Sequence, residues 1–583
     1  MGLNIIGISA LYHDSACCLL KDGKLIAAVE EERFTRHKND GRIPKHAFRF
    51  CLEEGGLTLP EIDYIAYYEN PHKKVARQFW SGIWPNSDEL AYRLNPQRPE
   101  IEIRNILGYE GPIKYFEHHQ SHAASSFYFS GFEEAAIMTF DGVGEWTTTS
   151  YGAGNSSGIE LFEEVSFPNS LGLLYSTITS FLGFSVNSDE YKVMGLAPYG
   201  KAVYKKQMYE LIESLEGGQY RLDLKYFNFS DSKLMYTPLM VDLFKHLPRE
   251  EKEPINQFHK DVARSLQVVL EEILIEKAFY FHKKTGMENL CMAGGVALNC
   301  VANGRILKEG PFKKMFVQPA SGDAGAALGA AAELHFSLTQ EKKQLKLEHV
   351  YLGPEYSMDE IERILNSTSF NFLSCKGNTS QLLEETAKRL ADKKVIGWFN
   401  GKMEFGPRSL GARSILADPR DPEMRDRINH MVKKREGFRP FAPAILATEV
   451  EHYFDLDHAS PFMLETCQVI SSLDLPAITH VDGSARVQTV TEESNPRFAS
   501  LLKAFQHLTG CPILLNTSFN VKGEPIVCSP VDAIECFIST NIDCLVLGDF
   551  IIDRSQNEMH KLEEKYKLPI STADVKNDVY TFI

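Results

Sequence analysis

The sequence contains no apolar run near the ~18 residues that a membrane-spanning helix needs, and no two cysteines stand in CxxC spacing. Its 11 cysteines, from Cys17 to Cys544, are odd in number and scattered. Cys17 and Cys18 are adjacent, a spacing at which two thiols seldom pair. These features fit reduced thiols in a cytoplasm better than a disulfide framework. Cationic excess is also missing: 62 Lys and Arg stand against 78 Asp and Glu, a formal net charge of -16. A nucleic-acid binder usually carries a basic face, so no nucleic-acid partner is expected, and no membrane partner either. The opening MGLNIIGISALYHDS shows no basic leader followed by an apolar stretch, and Ile6 stands where a myristoylation signal wants Ser or Thr.

What is present suits a globular α/β protein. Apolar residues make up 43% and charged residues 24% of 583 positions, and ~150 residues per domain suggests two to four structural units. Residues 3–10 (LNIIGISA) and 17–20 (CCLL) read as strands, and Asp22-Gly23 as a hairpin turn into LIAAVEEER. The pattern returns later: AAIMTF at 135–140 ends in Asp141-Gly142-Val143-Gly144, followed by TTTSYGAG and IELFEEVSF. Strand, Asp/Gly turn and strand thus occur twice, a weak internal duplication. A helix is expected over 256–286, with Val262, Leu266, Val269, Leu270, Ile273 and Leu274 at helical spacing. A strand, a Gly-Gly turn and a helix follow in NLCMAGGVALNCVANGRIL, and SGDAGAALGAAAEL opens another helix. The polar stretch 338–358 is expected to be a linker. Beyond it, a helix at about 380–392 leads into VIGWFN and a second α/β region.

Two sets of residues carry chemistry. His118 and His122 are four apart, so on a helix they share a face and could grip one metal ion. Asp141 and Asp323, each in a Gly-rich turn, could add oxygen ligands. Singly, the histidines could be surface or core residues, Asp141 a turn cap and Asp323 a helix cap. The turns at 293–299, with Gly294, Gly295 and Asn299, and at 321–325 both open helices, where backbone N–H groups and the helix dipole favour an anion such as a nucleotide phosphate. Gly turns after several strands, with duplicated hairpins, are the layout of the actin-like ATPase fold. In the second half, FGPRSLGARS places Arg408 and Arg413 in a Gly/Ser-rich loop, and KKREGFRP adds Lys433, Lys434, Arg435 and Arg439. Cations concentrated in an acidic chain suggest a polyphosphate site; a solvated basic face is the plainer alternative.

The stretches GISALYHDSACCLL, EEERFTRHK, HHQSHAASSF, FDGVGEW, YKVMGLAPYG, CMAGGVALNCVANGRI and SGDAGAALGAA resemble the NodU/CmcH carbamoyltransferase family, as do FGPRSLGARSI and REGFRPFAPAI. The resemblance implies an actin-like (duplicated ribonuclease H-like) domain, similar to TsaD-like proteins, over 1–345, and a YrdC-like α/β domain over 355–583. It implies that His118, His122, Asp141 and Asp323 hold iron(II), with zinc or manganese as alternatives. It puts His13 where an acceptor hydroxyl meets the carbamoyl carbon, and Lys38 and Arg77 along the acceptor or adenylate pocket. In the second domain, Lys433 with Arg435 and Ser518 with Asn520 would bind ATP with magnesium, and Met463 and Arg486 match further pocket positions. The implied reaction turns carbamoyl phosphate and ATP into carbamoyl adenylate, then carbamoylates a hydroxyl of a small natural product. Loops around 70–110 and 200–255 are expected to shape acceptor choice, and a homodimer is compatible with the resemblance. A threonylcarbamoyl-type tRNA-modifying enzyme would share both folds, and a carbohydrate kinase or ATPase would share the first.

Overall fold

The computed structural model describes residues 2–229, 234–341, 346–433, 436–439 and 441–559, with Lys433 by its backbone alone. The chain divides into two units, one holding residues 2–31 and 39–347, the other 32–38 and 348–559.

In the first unit the N-terminal apolar runs form β1 (Asn4–Ser9), β2 (Ala16–Lys21) and β3 (Lys24–Glu30), an antiparallel meander. Asp22 and Gly23 turn between β2 and β3 at φ 53° and 72°, the two left-handed positions that a tight hairpin demands. β4 (Tyr64–Tyr67) joins the other side of β1 in parallel, and α1 (Pro71–Trp80) follows, capped by Asn70, whose side chain accepts from the N–H groups of His72 and Lys73. β5 (Ile113–Tyr115) completes the sheet in the order β3-β2-β1-β4-β5, and α2 (His118–Phe127) leaves it.

The same architecture is then built again. β6 (Ala135–Phe140), β7 (Thr147–Asn155) and β8 (Gly158–Ser166) form a second antiparallel meander. The 29-residue α3 (Gln257–Thr285) starts at Asn256, whose side chain accepts the His259 N–H, and ends at Gly286 with φ 69°, so an asparagine cap and a left-handed glycine bound the apolar stripe. β9 (Asn289–Ala293), α4 (Cys300–Glu309), β10 (Lys314–Val317) and α5 (Asp323–Thr339) follow. β9 joins β6 in parallel and β10 joins β9, giving β10-β9-β6-β7-β8. With β6 in the place of β1, the two sheets have one strand order and one set of directions. This duplicated ribonuclease H-like topology is the actin-like ATPase fold.

Each half lends its last helix to the other. α5 packs on β1, β2 and β4, while α2 packs on β6 and β9, and the two helices pack on each other. Small residues allow the close approach: a Cβ on Gly329 would lie 1.7 Å from the carbonyl oxygen of Ser121, and one on Gly7 would lie 2.0 Å from that of Ala327. Backbone cannot yield as a side-chain tip can. Gly329→Ala is therefore expected to destabilise the first unit by about 3 kcal/mol, the upper end for overpacking, read as a lowered midpoint in thermal or urea unfolding.

The second unit is built on one eight-stranded mixed sheet. Its strands are β11 (Leu373–Ser374), β12 (Ile396–Phe399), β13 (Arg413–Ala417), β14 (Ala442–Leu446), β15 (Gln488–Val490), β16 (Ile513–Ser518), β17 (Cys544–Leu547) and β18 (Phe550–Asp553). They lie in the order β11-β18-β17-β12-β13-β16-β14-β15. The helices Thr379–Ala391 and Pro496–Thr509 supply Leu382, Leu390, Phe498 and Leu502 to its core. This unit also contains the peptide 32–38 from near the N-terminus. The Arg33 guanidinium, 3% exposed as a residue, donates to Gly406 O at 2.9 Å, and Arg36 donates to Ile526 O at 2.6 Å and Pro525 O at 2.9 Å. Among the described residues no helix is long and apolar enough to cross a membrane.

Candidate functional site

In α/β sheets, ligands gather at the carboxyl ends of strands. In the first unit the predicted residues converge there. Asp141 follows β6, Gly294 follows β9, and Asp323 opens α5 after β10. His118 and His122 share a face of the first turns of α2, as the four-residue spacing predicts. One ligand atom from each of His118, His122, Asp141 and Asp323 lies within 4.8 Å of all the others. The two Nε2 atoms stand 3.0 Å apart, His118 Nε2 lies 3.2 Å from Asp141 Oδ2 and 3.6 Å from Asp323 Oδ1, and His122 Nε2 lies 3.7 Å from Asp323 Oδ1.

These spacings fit a metal ion. Bonds of about 2.1 Å put neighbouring ligand atoms about 3.0 Å apart in an octahedron and about 3.4 Å apart in a tetrahedron. The donors are two imidazoles and two carboxylates, a set that suits iron(II), zinc or manganese. Oδ2 of Asp323 and Nδ1 of both histidines are buried without a hydrogen-bond partner, so no hydrogen bond draws the Nε2 atoms away from the cluster. Burial pushes the His118 imidazole down, but Asp323 and Asp141 carry it up to about 9. Burial also opposes the charge on Asp141, yet His118 and His122 hold it well below the usual carboxylate range. The two carboxylates thus hold a proton on His118, one that a cation at the cluster would displace.

Several other predicted residues surround the cluster. His13 lies in the turn after β1, its side chain 25% exposed and Nδ1 2.9 Å from Asp14 Oδ2. Burial pushes it down, but Asp14, Asp323 and Asp141 raise it to about 10. The turn is strained, with Leu11 and Asp14 at φ 69° and 54°, and is held by Leu11 and Ser15 N–H groups donating to Gly41 O and Asp40 O. Arg77, on α1, is 3% exposed and 5.8 Å from the Phe167 ring. Gly294 adopts φ 91°, and a Cβ there would lie 2.2 Å from Phe140 O. Gly295 donates its N–H to Asp141 Oδ1 at 2.9 Å, so this turn aims the carboxylate as well as facing the open end of the sheet.

Two residues take places the sequence did not suggest. Asn299 caps α4 through Ala302 N–H at 3.1 Å and exchanges hydrogen bonds with Gln267 at 2.9 and 3.0 Å. Those bonds use both lone pairs of its oxygen and one of its two N–H donors within the fold. Lys38, expected in the first domain, is exposed at the end of the 32–38 peptide grouped with the second unit. Sequence reasoning also passed over Glu145 and Tyr68. The Tyr68 ring lies edge-on to His118 at 5.3 Å and its buried hydroxyl has no partner. The stretch FDGVGEW was visible, but only its aspartate was read as functional.

In the second unit, Arg486, Ser518 and Asn520 lie at one end of the adjacent strands β16, β14 and β15. Ala442 on β14 pairs with Asn516, and Ala444 pairs with Gln488, so the starts of β14 and β15 and the end of β16 lie together. Ser518 Oγ donates to Asn520 Oδ1 at 2.7 Å, and Nε of Arg486 is buried without a partner. The 405–412 loop enters at the same strand ends through β13, organised by Glu404, whose Oε1 accepts from the N–H groups of Leu410, Ala412 and Arg413 at 2.7, 2.8 and 3.2 Å. Arg413 corrects an expectation. It is fully buried, stacks 3.7 Å from the centre of the Phe399 ring and donates to Gly401 O and Pro354 O at 2.9 Å each, so it braces the loop from inside rather than presenting its guanidinium to a phosphate. Met463 is 2% exposed at φ 56°. Lys433 ends a helical turn at Asn429–Lys433, its side chain and the whole of Arg435 lying outside the described residues.

Fold and site together define an actin-like ATPase-fold protein with two buried histidines and two aspartates at its strand ends, joined to a second α/β unit. Comparison with known proteins narrows the class. The family described as "Carbamoyltransferase N-terminus" matches residues 4–83 and 101–332, and "Carbamoyltransferase C-terminus" matches 387–554. An uncharacterised protein of Synechocystis sp. is 42% identical over 97% of this chain and 99% of its own. Nodulation protein NolNO of Sinorhizobium fredii is 40% identical over 93% and 79%, and a 3'-hydroxymethylcephem-O-carbamoyltransferase of Amycolatopsis lactamdurans is 35% identical over 46% and 49%. Among solved structures, HypF of T. kodakarensis matches 59% of this chain and 50% of its own at 15% identity and TM-score 0.31; the fold assignment rests on the strand order instead. The chain belongs to the carbamoyltransferase family, and it is an enzyme that transfers carbamoyl groups.

Proposed function

We propose that the chain makes carbamoyl adenylate from carbamoyl phosphate and ATP in its second unit and transfers the carbamoyl group to a hydroxyl of a small molecule in its first. The observation that carries this reading is the convergence of His118, His122, Asp141 and Asp323, with His13 nearby, at the strand ends of an actin-like fold. The name of the cephem relative gives an O-carbamoyl product, which supports an alcohol as acceptor. Iron(II), or zinc or manganese in its place, is the proposed ion, magnesium accompanies ATP, and the cytoplasm is the proposed compartment.

Alcohols attack carbamoyl phosphate poorly, so an activated carrier is needed. Water first splits carbamoyl phosphate to carbamate and phosphate. A carbamate oxygen attacks the α-phosphate of ATP, the bond to the β-phosphate breaks, and pyrophosphate leaves. Lys433, Arg435 and Arg486 would neutralise the charge that develops on phosphate oxygens, and Ser518 and Asn520 would orient the nucleotide. In the first unit, His13 would take the proton of the acceptor hydroxyl as its oxygen attacks the carbamoyl carbon and AMP departs. His118, His122, Asp141 and Asp323 would hold a dication, which would supply Lewis acidity and offset the aspartate charges. Arg77 would hold the adenylate phosphate, the N–H groups of Gly294 and Gly295 being engaged by Ser321 O and Asp141 Oδ1.

With carbamoyl phosphate, ATP, magnesium and a hydroxylated acceptor, the chain is expected to release AMP and pyrophosphate in equal amounts, followed by nucleotide chromatography and a pyrophosphate assay. ADP as the sole nucleotide product would rule the adenylate out and favour a kinase.

A further inference from the structure

The loop leaving β6 runs Asp141-Gly142-Val143-Gly144-Glu145-Trp146, and only its first residue belongs to the cluster. Glu145 is 4% exposed. Its Oε1 accepts the N–H of Asn70 at 2.6 Å and that of His118 at 3.0 Å, and Oε2 lies 3.1 Å from the same His118 nitrogen. Both are orphan donors at helix starts: His118 is the first residue of α2, and Asn70 caps α1. α2 makes no side-chain cap of its own, because Glu117, at its cap position, turns instead to Lys73. A carboxylate at this end also meets the positive pole of the helix dipole. Gly144 makes the approach possible, since a Cβ there would lie 2.9 Å from the Cβ of His118.

We infer that Glu145 is the positioning residue of the cluster. From the loop that carries Asp141, it fixes the backbone of His118 and the start of the Arg77 helix, and so sets the affinity for a divalent cation without touching the ion. Both of its oxygens lie on backbone donors, and Glu145 is not among the residues whose ligand atoms converge. A coordination set must be held within about 0.5 Å of its working geometry, and here one carboxylate ties together the three elements bearing Asp141, His118 and Arg77. Without it, the start of α2 keeps an unsatisfied N–H and the histidine pair drifts relative to Asp141.

The inference rests on the proposed reading of the cluster as a cation site, and Mn(II) binding to the full chain, followed by electron paramagnetic resonance, separates the two. The wild type is expected to bind Mn(II). Glu145→Ala should weaken binding by about 10- to 100-fold, the usual cost of losing an outer-shell partner. Glu145→Gln, which keeps one oxygen able to accept both N–H groups, should fall between. Glu163→Gln is the control: Glu163 also accepts several hydrogen bonds, from Gly218 N–H and the Tyr280 hydroxyl at 2.8 Å each, but lies on β8 away from the cluster. It should lose stability and keep its Mn(II) affinity. If Glu145→Ala does not fold, Glu145→Gln decides. No Mn(II) binding by the wild type overturns the cation site itself. Wild-type binding with undiminished affinity in the Glu145 variants overturns only the positioning role, as does an equal loss in Glu163→Gln.

Discussion

Asparagine in place of Asp323 is expected to lower carbamoyl transfer from supplied carbamoyl adenylate by about 10³-fold, the equivalent of several kcal/mol of transition-state stabilisation. Divalent-cation affinity should fall by more than the roughly 100-fold typical of an outer-shell loss. Adenylate formation by the second unit should persist. Asparagine has the shape of aspartate, so the start of α5 is preserved and the change is one of charge. The lost charge is costly because Asp323 is 1% exposed and its Oδ1 stands 3.6 and 3.7 Å from the two imidazole Nε2 atoms. A second readout needs no cation. Asp323 is among the carboxylates that raise His13 to about 10, so without it the imidazole should release its proton at lower pH in an NMR titration. Unchanged cation affinity together with an unmoved His13 titration would show that Asp323 takes no part in the site.

His13→Asn is expected to reduce carbamoyl transfer by 10²- to 10⁴-fold, the usual contribution of a positioned base, while pyrophosphate release from carbamoyl phosphate and ATP continues. A base must be neutral to accept a proton. The aspartates beside His13 hold its proton on, up to about 10, so its neutral fraction grows with pH through that range. The acid limb of the wild-type rate profile should therefore report the loss of that proton, at a pH lowered to the extent that a bound cation cancels the aspartate charges. The residual rate of His13→Asn should lack that limb. A variant that lost both half-reactions equally would contradict the assignment, since a proton acceptor for the alcohol has no task in making the adenylate.

Much of this architecture could be read from the residues. Asp22-Gly23 marked its hairpin because only a left-handed pair closes that turn, and the long α3 announced itself by apolar spacing between polar ends. The duplication showed as two Asp/Gly-turned strand pairs. Its depth did not show, because strand order is a matter of pairing between distant segments such as β6 with β9. His118 and His122 were legible as a pair, since four residues make one helical turn. Their meeting with Asp141 and Asp323 depends on the approach of α2 and α5 over Gly329, which no local pattern encodes. Asn299 and Arg413 were read by residue type alone. An asparagine after a Gly-Gly turn caps a helix as readily as it binds phosphate, and an arginine in a Gly-rich loop can brace carbonyl groups from inside. Glu145 stayed hidden because its partners are backbone N–H groups 27 and 75 residues away.

The peptide 32–38 has a consequence for how this chain could be divided by evolution. A gene split at the natural-looking break near residue 347 would yield a C-terminal polypeptide deprived of Arg33 and Arg36, with the carbonyls of Gly406, Pro525 and Ile526 missing their donors. The two halves are interlaced in sequence even where they are distinct as units, so fission into separate subunits would have to carry that short N-terminal stretch along or replace it.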